Sequence, residues 1–289
     1  MSDDREHRNA VFAAHAQAAS QQSAVPAQSA QERARNDFGF EIPTVTIPLP
    51  SNGKIYSHPS LRDAELIDIR AMTAREEDIL TSRALLKKGT VITELIKSCL
   101  IDKTIDPLDL TTGDRSALMV SIRITGYGEL YEADVECGEC GVKSSQEFDL
   151  SKLPIKRLTI DPAVQNANVF EMQLPLTGKT VKFKFLTGRD EEEILANIER
   201  SKKLHISTDA SITTNLLYSI LSIDTVTERS KISNFVKIMP ARDSLALRSF
   251  IKDNEPGIDM RQEVMCPSCG AQEVVSMPIG TQFLWPSTK

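Results

Sequence analysis

Four of the five cysteines in this 289-residue chain fall into two units of one pattern, "ECGECG" around Cys137 and "MCPSCG" around Cys266, more than a hundred residues apart. A Cys-x-x-Cys turn supplies two thiolates, whereas a structural zinc takes four ligands in a tetrahedron. Neither unit completes a site by itself. A fold that joins them sets Cys137, Cys140, Cys266 and Cys269 around one ion, and that requirement constrains the whole topology. The flanks suit such a site. "YEADVE" and "SSQEFDL" bracket the first unit, "IDMRQEVM" and "QEVVSMP" the second, with enough apolar–polar alternation to predict two β-hairpins. Gly141 and Gly270 follow the second cysteine of each pair and can take the positive φ a knuckle turn needs.

The expected occupant is one zinc per chain. Iron is the alternative, because a rubredoxin-like centre uses the same spacing. A thioredoxin-like redox pair would open a helix, but the residues after each unit read as strands. Disulfides or free thiols are the remaining alternative; disulfides are disfavoured in the reducing cytoplasm expected for a chain with no secretory signal. Four protein ligands leave no position open for water or substrate, so the expected role is structural.

The separation of the two units follows from a second feature, an internal repeat. "IPLPSNGKIY…ELIDIRAMTAREEDIL" is answered by "LPLTGKTVKFKFLTGRDEEEIL", and "ITELIKSCLID" by "TTNLLYSILSID". "GDRSALMVSIRITGYGELYEADVECGECG" is answered by "ARDSLALRSFIKDNEPGIDMRQEVMCPSCG". The fold expected is α+β, an internally duplicated strand–helix–hairpin unit with a composite zinc-ribbon-like four-cysteine site. Residues 41–155 form the first repeat, 156–168 a connector and 169–289 the second repeat. Residues 1–40, rich in Ala, Gln and Ser, hold too few large apolar side chains to offset the entropy of ordering. They read as a flexible tail, or alternatively as a segment that orders against a partner.

Within each repeat a helix start has a physical cause. Thr73-Ala-Arg-Glu76 is a capping box, and Thr187-Gly-Arg-Asp190 repeats it with a shorter acid. The acidic runs that follow lie in first turns, where they favour the positive end of the helix dipole. Lys87, Lys88 and Gly89 mark the end of the helix begun at Thr73. Val91, Ile92, Leu95, Ile96, Cys99 and Leu100 have the spacing of an amphipathic helix, so Cys99 reads as a small buried hydrophobe rather than a ligand.

No catalytic constellation emerges. The four histidines show no motif spacing, and "LTGKT" lacks the first glycine of a phosphate loop, with Gln173 in its place. Net charge is −6 and aromatic content 5%, neither of which suits a nucleic-acid binder. No apolar run reaches the ~20 residues that span a bilayer. Near the C-terminus Phe283, Leu284 and the single Trp285 either cap the domain's own core or anchor a neighbouring subunit.

"IPLPSNGKIY", "MTAREEDIL", "ELIKSCLID", the "CGECG" and "CPSCG" pair and "FLWPST" together resemble the small baseplate hub proteins of contractile-tailed, T-even-like bacteriophages, from about Ile42 to the end. The resemblance implies a non-enzymatic structural component of the baseplate hub, or an assembly factor for it. Its partners would be other tail and hub proteins. Its location would be the virion tail baseplate, with the host cytoplasm during assembly. The alternative is a zinc-ribbon nucleic-acid-binding or regulatory module, which would want cations near the knuckles where "YEADVECGEC" is acidic.

Overall fold

Each half of the chain opens on a pair of antiparallel strands and closes on a cysteine-bearing hairpin. The computed structural model describes residues 40–203, 211–277 and 281–284. The expectations for the N-terminal tail before residue 40, and for Trp285, lie outside the described residues.

In the first half β1 (Thr44–Pro48) pairs with β2 (Leu66–Arg70), Thr44 opposite Arg70. Three helices follow, α1 (Ala74–Thr81), α2 (Arg83–Lys88) and α3 (Val91–Cys99). A 3-10 turn (Pro107–Asp109) leads into α4 (Thr112–Tyr127), then hairpin β3 (Leu130–Glu136) and β4 (Lys143–Asp149), and the short β5 (Ile155–Lys156). In the second half β6 (Phe170–Gln173) pairs with β7 (Thr180–Phe183), which also pairs with β8 (Ile220–Ile223). Between β7 and β8 lie α5 (Gly188–Lys203) and α6 (Ser211–Ser219). After β8 come α7 (Arg229–Ile238), α8 (Ala241–Asn254), β9 (Gly257–Ile258), hairpin β10 (Arg261–Met265) and β11 (Gln272–Ser276), and α9 (Thr281–Leu284). The architecture is α+β, and among the described residues every strand pairing is antiparallel.

One helix expected from Thr73 to Gly89 is two. Ser82 has extended backbone (φ −65°, ψ 106°), ends α1 and caps α2, its Oγ accepting the Leu85 N–H. A serine hydroxyl competes well for backbone donors outside helical geometry, which explains the break. Gly89 (φ 73°) then ends α2 as expected.

The predicted caps form, and each is braced by a cation from the preceding strand or its end. The Thr73 N–H and hydroxyl both donate to Glu76 Oε2 at 2.9 and 2.7 Å, and the Arg70 guanidinium grips both carboxylate oxygens at 2.9 and 2.6 Å. In the second half the Thr187 N–H and hydroxyl donate to Asp190 Oδ2 at 2.9 and 2.8 Å, and Lys184 Nζ lies 2.7 Å from both oxygens.

A second fastening recurs in the same way. Asp114, in the first turn of α4, is fully buried; it accepts the Ser51 N–H at 3.0 Å and the Tyr56 hydroxyl. Asp243, in the first turn of α8, accepts the Leu176 and Thr177 N–H groups at 2.7 and 3.0 Å. Both carboxylates pin the Leu-Pro turn of their own half, "LPSNGK" or "LPLTGK", to the long helix.

The apolar side chains that these pins enclose form a continuous core. Leu49, Ile69, Leu95, Ile96, Leu100, Leu118 and Ile122 fill the first half, and Cys99 is buried among them as expected. Phe170, Phe183, Phe185 and Phe250 pack ring on ring in the second half, with centroids 4.7–6.1 Å apart. The halves meet where Gly113 lies against Pro256; a Cβ there would sit 1.7 Å from the Pro256 carbonyl oxygen, so only glycine permits the approach. The connector is part of this packing: Leu158 is buried, and Arg157 donates to Leu49 O and Asn52 Oδ1.

Asp114→Ala leaves the Ser51 N–H and Tyr56 hydroxyl without their buried acceptor, and urea unfolding is expected to show a loss of about 3 kcal/mol. Asp243→Ala acts in the same direction with a smaller loss. Glu76 gives a pH signature. Burial pushes its carboxyl up, but Arg70, Ser98 and Thr73 outweigh burial and hold it well below the usual carboxylate range. A carboxyl lowered in the fold stabilises above its unfolded pKa, about 4.3, and that contribution fades as pH falls toward the folded value. Unfolding free energy should therefore drop in acid below about pH 4.3, and Glu76→Gln should flatten that limb of the profile.

Candidate metal centre

The two knuckles are built alike. In hairpin β3–β4 the Cys137 N–H donates to Val142 O at 3.0 Å and the Gly141 N–H to Cys137 O at 2.9 Å. In hairpin β10–β11 the Cys266 N–H donates to Ala271 O at 2.8 Å and the Gly270 N–H to Cys266 O at 2.9 Å. Gly141 and Gly270 have φ of 69° and 74°, a region that L side chains rarely occupy. Strands follow both knuckles, so neither is the helix-opening pair of a thioredoxin-like site.

A two-residue ladder aims the knuckles at each other. β5 leaves the base of the first hairpin and pairs with β9, which enters the base of the second, Ile155 opposite Ile258. The Asp259 N–H extends the ladder to Pro154 O at 2.9 Å. At the far end Cys137 Sγ lies 3.8 Å from Cys269 Sγ and Cys140 Sγ 3.7 Å from Cys266 Sγ, and all four sulfurs lie within 4.8 Å of one another.

These distances fit a metal and not a disulfide. A tetrahedron with metal–sulfur bonds of about 2.3 Å has edges of about 3.8 Å, against an S–S bond of about 2.05 Å. Cys137 and Cys266 are buried while Cys140 and Cys269 face solvent, so an ion could enter from one side. The Cys266 thiol is held below its usual range chiefly by the N–H groups of Cys269 and Ser268, while the Cys140 and Cys269 thiols are raised, with the neighbouring thiols among the causes. Cys99 stands apart, its thiol pushed up to about 11 by burial, as befits a core side chain.

Other ties between the hairpins are sparse and exposed. The Gly138 N–H reaches the Glu273 carboxylate at 3.2–3.3 Å, and Gln146 Nε2 reaches Met265 O at 3.4 Å. The outward face of the first hairpin sets Glu132 opposite Glu147, with Asp134 and Glu136 beyond.

Two of the three C-terminal residues offered as core caps or partner anchors, Phe283 and Leu284, lie among the described residues. Phe283 and Leu284 are buried, and Phe283 meets the Tyr131 ring edge-on at 5.1 Å beneath the first hairpin. Sequence reasoning missed the Asp114 and Asp243 pins; their signal was an aspartate recurring just inside a helix opposite a recurring Leu-Pro turn.

Residues 42–285 match the family described as T4 bacteriophage base plate protein. The chain belongs to this family. Comparisons with curated proteins and with solved structures gave no match.

Elemental analysis of protein purified without added metal is expected to give about one ion per chain. Cys137→Ser and Cys266→Ser should each release it, because each removes a ligand from one shared tetrahedron. Cys99→Ala should retain it. Loss in one knuckle variant but not the other would contradict the shared site.

Proposed function

We propose that this protein is a non-enzymatic structural component of the phage baseplate hub, or an assembly factor for it, braced by one structural zinc. Membership of the baseplate family across residues 42–285 carries the reading. It implies a structural role in the virion tail baseplate and contact with other tail proteins. The geometry supplies the motive for a metal. Four sulfurs close the coordination sphere, so the ion can crosslink but has no position for substrate. An ion bound only when segments more than a hundred residues apart have converged adds its binding free energy to the stability of the fold. Such a brace suits a part that transmits load between neighbours. Among the described residues no helix is long and apolar enough to cross a membrane.

The repeated caps, the repeated aspartate pins and the paired knuckles support a further reading, that the two halves descend from one duplicated unit with the connector between them. The nucleic-acid alternative has less to rest on. Glu132, Asp134, Glu136 and Glu147 crowd the hairpin face beside the knuckle, where phosphates would be repelled.

Tails from a phage whose copy of this gene carries an early stop are expected to lack assembled baseplates by electron microscopy. Mass spectrometry of purified wild-type particles then separates a resident subunit, present, from an assembly factor, absent. Normal, infectious tails from the stop mutant would contradict both.

A further inference from the structure

Two arginines occupy the same place in the two caps and have different surroundings. Arg75 and Arg189 each stand two residues after the cap threonine and one before the cap acid. Arg189 Nη2 donates to Asp109 Oδ1 at 2.8 Å and Asp106 Oδ2 at 3.1 Å, the carboxylates that bracket the 3-10 turn. It thereby locks the cap of α5 onto the first half. Arg75 is exposed, and among the described residues no carboxylate pairs with it.

Beside Arg75 a notch of about 370 Å³ opens between α1 and α3, lined by Arg70, Arg75, Ile79, Glu94, Lys97, Ser98 and Lys103. The Arg70 guanidinium is committed to Glu76 and Ser98. Lys103 Nζ donates to the Lys97 and Ser98 carbonyls at the end of α3, which holds its charge at the rim. With Arg70 paired to Glu76, Arg75, Lys97 and Lys103 therefore face Glu94 in the notch's lining, on a chain whose net charge is −6. Burial, then the Arg70 cation, holds the Lys103 ammonium below its usual range.

We propose that this notch docks an acidic loop of a neighbouring protein, its carboxylates gripped by Arg75, Lys97 and Lys103 as Asp106 and Asp109 are gripped by Arg189. Charge complementarity sets the chemistry, and the contact inside the chain supplies the template. The equivalent loop of a second copy is not available, because Arg189 already holds its Asp106 and Asp109. The occupant is a different protein with two carboxylates a few residues apart on a short turn. Rim charges of this kind steer and orient association, and salt screens them.

The test uses the metal-loaded full chain and a synthetic peptide of residues 103–111, "KTIDPLDLT", followed by amide chemical shifts. A second peptide carries Asn at both Asp positions. Expected are saturable shifts at Arg75, Lys97 and Lys103 with the acidic peptide only, weakened about tenfold by Arg75→Gln and by high salt. Arg75→Gln should unfold at the wild-type urea midpoint, since the side chain has no partner to lose. Equal binding of both peptides, binding undiminished by Arg75→Gln, shifts centred on Arg189 instead, or no saturable shift at all would each overturn the proposal.

Discussion

The arrangement depends on one convergence: two cysteine pairs, each held in its own hairpin turn, meet within tetrahedral distance. The hairpins do little else to hold each other. The hydrogen bonds that tie them, Gly138 to Glu273 and Gln146 to Met265, are exposed, and Val135, Val264 and Val275 of these strands are only partly buried. Without an ion, four sulfurs at about 3.8 Å would be a weak contact among half-exposed strands. With one, the contact becomes the covalent-like closure of the fold. The β5–β9 ladder makes this geometry reachable by fixing the bases of the hairpins, and Gly113 lets that ladder lie close to α4.

Away from the cysteine cluster, buried carboxylates do the positioning. Asp114 and Asp243 tie each half's Leu-Pro turn to its long helix, while Glu76 and Asp190 tie each cap to a cation from the strand before it. These contacts are paired and hydrogen-bonded throughout, which is the condition under which burying charge is tolerated. Among the described residues the two caps nevertheless differ in how they meet the other half. The second cap, through Arg189 and Gly188, is seated on the first half: the Gly188 N–H donates to Leu110 O at 3.0 Å. The cap at Arg75 has no such seat. That asymmetry is what a chain with one internal contact and one outward contact of the same kind would display.

Much of this was legible in the sequence because the features are local. The knuckle glycines, the two hairpins, the threonine caps and the burial of Cys99 each follow from spacing or turn chemistry. The convergence of the cysteines was legible for a different reason: four ligands split into two incomplete pairs leave a fold few ways to satisfy both. What escaped was non-local or too short to leave a period. β5 and β9 are two residues each, Arg189's grip on Asp106 and Asp109 spans the halves, and Ser82 breaks a helix whose apolar pattern runs through it. Phe283 and Leu284 suited a core or a partner in the sequence, and their burial, with Phe283 against Tyr131, is a long-range contact that no local pattern shows.

X-ray absorption at the metal's edge, on the full chain shown to be monomeric, tests most directly whether a single ion is shared by both hairpins. Four sulfur neighbours at about 2.3 Å with no nitrogen or oxygen in the first shell is the predicted result. Two sulfurs completed by light atoms would mean that each knuckle binds separately, and would contradict the shared centre.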